Sequence, residues 1–178
     1  EKEKKGAFFD LDNRYISCAN DFDNIPGAPI SAYVASNALS KIYKKGEIIN
    51  DIGEVRIGMG TGNNDLFLKL WWEVNVELID HSIKDVMELG KTNKKFFPYS
   101  KGGERIRWYG NHDFVIWYDE EGRRAINTTS GHRENGGYDT YFHKGITWSY
   151  STMSTFSVRV MPFGFVFDVN GSSLFLND

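Results

Sequence analysis

"GITWSYSTMSTFSVRVMPFGFVFDVNGSSLFL" occupies residues 145–176, and its reading decides the fold. Four short pieces, GITWSY, FSVRVMP, GFVFDV and SSLFL, mix polar with apolar positions and are separated by Ser, Gly, Pro and Asn. Period-two patterning fits strands, whose successive side chains leave opposite faces, and the separating residues fit turns. Working backwards, DFVIWYD (113–119) and RRAIN (123–127) flank EEG and read as a hairpin. IGEVRIGM (52–59) reads as a strand, and so does NRYISCANDF (13–22), which leads into a turn at IPGAP (25–29). Helical spacing is confined to the earlier part of the chain. In SAYVASNALSKIYKK (31–45), Val34, Ala35, Ala38, Leu39 and Ile42 share one face, with Ser31 as N-cap and Gly46 as stop. SIKDVMELG (82–90) reads as a second, shorter helix, and TTSGHRENGGYDT (128–140) as a long exposed loop. Helices early and strands late predict an α+β fold, with N-terminal helices and a mostly antiparallel or mixed β-sheet.

The 178 residues fit one domain with or without an appendage. A content of 40% hydrophobic and 25% charged residues excludes a disordered chain. No apolar run approaches the ~18 residues of a membrane span, so no membrane partner is expected. The single cysteine, Cys18, excludes an internal disulfide and points to a reducing, cytoplasmic setting. With no charged activator beside it, Cys18 reads as a small buried hydrophobe. The chain opens EKEKKGAFF without methionine and stops at SSLFLND, so it reads as a piece of a longer polypeptide. We expect residues 1–20 to be a linker and first strand, and 21–178 to be the functional domain.

A net charge of −3 argues against a generally basic nucleic-acid binder, so local patches carry the question. NKKFFPYSKGGERIRWYGN (93–111) sets five cations against one acid, a local charge of +4. Lys101, Arg105 and Arg107 can meet phosphates, and Asn111 closes the segment. Gly102 and Gly103 allow close backbone approach, and Trp108 and Tyr109 supply stacking surfaces. A solvated basic loop with its aromatics in the core is the other reading. GMGTGNND (58–65) is a glycine-rich turn that runs into LFLKLWWEV, which carries Lys69. It lacks the Gly-Lys-Ser/Thr ending of a Walker loop, and EVRIG before it is too polar for the buried strand of a dinucleotide site. Its amides, with Thr61, Gly62, Asn63 and Asn64, suit a nucleic-acid backbone; a plain structural turn stays open. In the 128–140 loop, His132, Arg133 and Asn135 have donors and acceptors able to distinguish base edges.

Enzyme chemistry is hard to find. His81, His112, His132 and His143 lack metal-ligand spacing, and no nucleophile elbow occurs. FPY (97–99) has a single proline and no acid or amide before it, so it is not the catalytic loop of amino-group methyltransferases.

In order, IPGAPISAYVAS, GMGTGNNDLFLKLWWEV, KKFFPYSKGGERIRWYGN and ITWSYSTMSTFSVRVMPFGFVFDVNGSS resemble the target-recognition region of a known family. The family is the adenine-specific DNA methyltransferases of the bacteriophage-exclusion (BREX) type, relatives of single-chain type IIG restriction-modification enzymes. The likeness runs from about Asp21 onward. It implies a recognition module that is non-catalytic by itself and holds no cofactor. It also implies a double-stranded DNA partner, and a catalytic domain of the same parent chain that binds S-adenosylmethionine and methylates a flipped adenine. Thr61, Gly62, Asn63 and Asn64 fall in the family's TG-N-N turn, and Gly102, Gly103 and Arg105 in its KGG-x-x-R-x-WYG loop. Two other readings stay open: a carbohydrate- or protein-binding β-rich module, and an enzyme using the glycine-rich turn for a nucleotide.

Overall fold

A computed structural model describes residues 2–14, 16–23, 25, 27, 37–151 and 153–177. It divides into two compact units, Glu1–Ile48 and Ile49–Asp178. In the first, α1 (Lys2–Phe9), α2 (Ala19–Phe22) and α3 (Asn37–Lys45) are the described α-helices. Gly46 ends α3 with its amide on the Ile42 carbonyl at 2.7 Å, while positions 31–36 of the expected helix lie outside the described residues. The expected turn at 25–29 is described only at Ile25 and Gly27.

Among the described residues of 13–22 the expected strand does not form. Asp10 accepts the Asp12 amide and starts a 3-10 turn at Leu11–Asn13, and Asp21 accepts the Cys18 amide at 2.9 Å to begin α2. Short acidic side chains that bond nearby amides favour such turns over strand ladders. The Cys18 amide and side chain also hold the Asp21 carboxyl below its ordinary pKa. Cys18 itself is exposed, which corrects its reading as a buried hydrophobe.

The second unit opens with α4 (Ile49–Ile52) and contains two four-stranded sheets. Its strands are β1 (Gly53–Arg56), β2 (Leu68–Leu70), β3 (Phe96–Ser100), β4 (Phe114–Trp117), β5 (Gly145–Trp148), β6 (Val158–Met161), β7 (Val166–Phe167) and β8 (Ser173–Leu176). One sheet runs β1-β8-β5-β6 and is antiparallel throughout; Thr147 of β5 faces both Ser173 and Arg159 across it. The other runs β2-β4-β3-β7, with one parallel pairing, Tyr99 to Val166 and Ser100 to Phe167. The fold class is therefore α+β with mostly antiparallel sheets, and the four C-terminal pieces that announced it all become strands.

Aromatic rings dominate the core. Phe67, Phe97, Tyr99, Tyr141, Phe142 and Phe167 are fully buried with Met59, Ile116 and Met161. Phe97 meets Phe142 edge to face at 5.5 Å, and Tyr141 meets Phe167 at 5.3 Å. Each such side chain contributes about 1.5–3 kcal/mol on burial, with edge contacts adding to it.

The hairpin expected around EEG is instead α6 (Glu120–Thr128). Asp119 explains the difference: its carboxylate accepts the Gly122 amide at 2.8 Å and the Trp117 indole N–H at 2.7 Å. That is an N-cap, with Glu120 and Glu121 in the first turn where the helix dipole favours them. Gly122 and Ile126, four apart, then bury one face. The expected helix at 82–90 is a 3-10 helix at Val86–Lys91, capped by Asp85 through the Met87 amide at 2.7 Å. No helix among the described residues is long and apolar enough to cross a membrane.

Candidate nucleic-acid interface

The glycine-rich turn is clasped between two segments. On one side Met59 pairs in parallel with β7 and its continuation: its amide meets the Phe167 carbonyl at 3.0 Å, and its carbonyl takes the Val169 amide at 3.2 Å. On the other, Gly60 and Arg133 exchange both backbone bonds, at 2.8 and 2.9 Å. Thr61 is buried and its hydroxyl donates to the Asn64 side chain at 2.7 Å. The Asn63 side chain accepts the Leu66 amide at 3.1 Å and caps α5 (Asn64–Phe67). Gly62 sits at φ +77°, and a Cβ there would lie 2.7 Å from the Ser130 carbonyl oxygen. Lys69, on edge strand β2, donates its ammonium back to the Asp65 carbonyl at 2.6 Å. These polar groups are largely committed to holding the turn in place.

The 128–140 stretch is not a freely exposed loop. The His132 Nδ1–H donates to the Gly60 carbonyl at 2.9 Å, and the Asn135 amide donates to the Gly58 carbonyl at 2.9 Å. Gly137 and Thr140 are buried beneath it. Composition suggested solvent because the stretch is mostly polar, yet Asn135 satisfies the Gly58 carbonyl and His132 adds a second bond to a Gly60 carbonyl already paired with the Arg133 amide. Arg133 is exposed between them.

The basic segment builds the second half of the surface. Its first part is β3, whose Phe97 and Tyr99 go to the core. Lys94 donates to the Glu77 carbonyl, Lys95 lies over the Trp117 ring at 4.5 Å, and Lys101 over the Phe114 ring at 4.9 Å. Gly102 and Gly103 take φ of +85° and +101°; a Cβ on Gly102 would lie 2.4 Å from the Asn170 carbonyl oxygen. The chain then turns outward. Arg105, Arg107, Trp108 (67% exposed) and Tyr109 (65%) stand in solvent. Asn111 ties the far end through its side-chain amide to the Glu104 carbonyl at 2.9 Å.

Beside this loop lies a cleft of about 620 Å³, lined by Lys101, Gly102, Gly103, Ser149, Asn170 and Asp113 among others. The structure thus sorts the sequence candidates into two groups. Thr61, Gly62, Asn63, Asn64, Lys69, His132, Arg133 and Asn135 surround the clasped turn. Lys101, Gly102, Gly103 and Asn111 line the cleft, and Arg105, Arg107, Trp108 and Tyr109 belong to the exposed loop between them. A common wall joins them: residues 166–170 pair with Met59 on one side and with Tyr99 and Ser100 on the other. Asp168 stiffens that wall, accepting the Tyr99 hydroxyl at 2.9 Å and the Asn170 amide at 2.9 Å. Burial first, then the neighbouring Asp168, pushes the Tyr99 hydroxyl far above its ordinary pKa, so it remains a donor.

Sequence reading missed Ser149, Asp113 and Asn170, which reach the cleft from positions up to 69 residues away from Lys101. It also missed a pair behind the loop, the buried Arg159 and the half-buried His112. Arg159 is 1% exposed, and burial lowers its pKa. His112, between the Tyr109 and Phe165 rings, is held below the usual imidazole value by burial and then by the Arg159 charge. Among the described residues, no group of three or more His, Cys, Asp or Glu is placed to hold a metal ion.

No family model matches the chain. Over 98% of its length it is 39% identical to part of the adenine-specific methyltransferase BrxX of Escherichia coli O9:H4 (strain HS). Over its full length it is 34% identical to part of the adenine-specific methyltransferase PglX of Lacticaseibacillus casei (strain Zhang). It spans 14% and 16% of those two proteins. The resemblance read from the sequence motifs is borne out.

Proposed function

We infer that this chain, homologous to one segment of adenine-specific methyltransferases, is the DNA-recognition module of such an enzyme. It reads duplex DNA while a separate domain of the parent chain, holding S-adenosylmethionine, performs N6 methylation of adenine in a restriction-modification or phage-defence setting. The chain itself transfers nothing, holds no cofactor and works in the cytoplasm. The observation that carries this reading is the loop at 104–109. It presents two arginines and two aromatic rings to solvent beside a cleft lined by Lys101 and the Gly102–Gly103 backbone. Guanidinium groups grip phosphates or guanine edges, and aromatic faces stack on bases or sugars.

The clasped turn plays a different part in this reading. Its hydrogen bonds hold 128–140 at a fixed height, so that Arg133 is offered to DNA by a rigid support, as a recognition contact requires. Phosphate contacts then fix register, and Arg133 with the 104–109 loop reads base edges. Fluorescence anisotropy of this chain with duplex DNA at two salt concentrations tests the reading. Measurable binding that weakens steeply with salt is expected, because each neutralised phosphate contributes about −0.9 to the logarithmic slope. Absence of binding at low salt, both here and in the parent enzyme, would refute it.

A further inference from the structure

Arg159 is the largest fully buried side chain of the described residues. It lies at the end of a polar row, Ser173–Thr147–Arg159, that crosses the first sheet on its inner face. Thr147 and Ser173 satisfy themselves on the Gly171 and Ser172 carbonyls. Arg159 does not: its Nε and Nη1 are buried with no hydrogen-bond partner, and among the described residues no carboxylate forms an ion pair with it. Among the described residues the guanidinium makes one bond, from Nη2 to the Ser149 hydroxyl oxygen at 3.3 Å. The neighbouring His112 Nε2 is also buried without a partner. A buried cation whose donors lack acceptors is strongly disfavoured unless something supplies the missing charge.

The connection to the surface runs through Ser149. Its hydroxyl donates to the Gly103 carbonyl at 2.7 Å, and Ser149 lines the cleft with Lys101. Strand β6, which carries Arg159, holds the exposed loop from behind, since the Val160 amide meets the Trp108 carbonyl at 2.8 Å. We propose that Ser149, backed from behind by Arg159, forms the inner wall of an oxyanion seat in this cleft, which takes a backbone phosphate of DNA. An anion accepting from the Ser149 hydroxyl lies one oxygen away from the guanidinium, in a cleft that Lys101 also lines, and supplies counter-charge to Arg159 without bonding Nε or Nη1. Rotation of the hydroxyl turns its hydrogen from the Gly103 carbonyl to the anion, while Arg159 keeps its bond to the Ser149 oxygen. Attraction across that dry wall is little screened, so Arg159 acts as a positioning residue through Ser149. Glu104 and Asp113 also line the cleft, but both are exposed, and water and salt weaken their repulsion.

This deepens the DNA-recognition reading and rests on it for the source of the phosphate. The test measures the melting temperature of the chain in inorganic phosphate against chloride at matched ionic strength, for wild type, Arg159→Met and Ser149→Ala. A ligand bound only by the folded state raises the melting temperature with its concentration, and the variants subtract the general effect of phosphate as a salt. Phosphate should stabilise the wild type beyond chloride, and both variants should lose that increment. In chloride, Arg159→Met should melt at or above the wild type, because it removes an unpaired buried charge. An equal phosphate increment in all three overturns the seat, and if Arg159→Met fails to fold, Ser149→Ala alone decides in the same way. A second arm measures duplex affinity by anisotropy, where Ser149→Ala and Arg159→Met should each bind at least fivefold more weakly. A lost phosphate increment with unchanged duplex affinity refutes DNA as the source, leaving free phosphate as the ligand. A seat that persists in a chain binding no DNA refutes the recognition reading and not the seat.

Discussion

Replacing Gly62 by alanine separates the clasp of the glycine-rich turn from ordinary turn chemistry. Gly62 lies at φ +77°, where an L side chain costs about 1–2 kcal/mol. Its new Cβ would also stand 2.7 Å from the Ser130 carbonyl oxygen and 2.8 Å from the His132 amide nitrogen. Both are backbone atoms that cannot swing aside, so forcing them apart adds about 1–3 kcal/mol. The sum is about 2–5 kcal/mol. Gly136 provides the control: its φ of +75° is nearly the same, but a Cβ there meets nothing within 4 Å. Gly136→Ala should therefore lose only the conformational part, about 1–2 kcal/mol. Urea unfolding followed by tryptophan fluorescence, with comparable slopes for both variants, gives the two values. Equal losses within about 0.5 kcal/mol would show that the turn does not press on 128–140, and the rigid-support argument for Arg133 would fall with it.

Asp119→Ala removes the N-cap of α6 and the acceptor of the Trp117 indole; urea unfolding should show a loss of about 1–2 kcal/mol, and no loss would mean that the cap does not hold the helix. Asp80 is buried, which alone would raise its pKa, but bonds from Ser82 and Thr92 outweigh this and leave it below the ordinary 3.8. A depressed folded pKa stabilises above the unfolded value, and that contribution is lost as pH falls through the folded one. The urea midpoint should accordingly drop below about pH 4, and Asp80→Asn should flatten that acid limb. Arg105→Ala and Arg107→Ala, both at exposed positions, should each lower duplex affinity and reduce the salt slope by about 0.9 while leaving the melting temperature nearly unchanged. A large fall in melting temperature with unchanged duplex affinity would make them structural instead.

The C-terminal strands were legible because residues 145–176 carry both signals that a strand needs, alternation and turn residues at regular spacing. Strand β3 was not, because its buried rings are embedded in a basic segment whose charge suggested a loop. Helix α6 was misread for a related reason. EEG between two β-like pieces matches a hairpin by local pattern, and only the Asp119 carboxylate on the Gly122 amide tips it to helix. The two halves of the candidate surface were visible as motifs, but their division of labour was not. Nothing in HRENGG shows that His132 and Asn135 reach carbonyls more than 70 residues earlier in the chain. Arg159 sits in VRV, an ordinary alternating strand, where pattern alone would turn the arginine to solvent. Register against Thr147 turns it inward.

The most direct measurement of the central claim exchanges this segment between enzymes. Residues 49–178 of this chain would replace the matching segment of the Escherichia coli methyltransferase, and the methylated adenines produced in cells would be mapped by sequencing. If this chain reads the DNA, methylation moves to a new sequence motif set by the donor segment. Persistent methylation at the original motif would place sequence choice elsewhere and contradict the account.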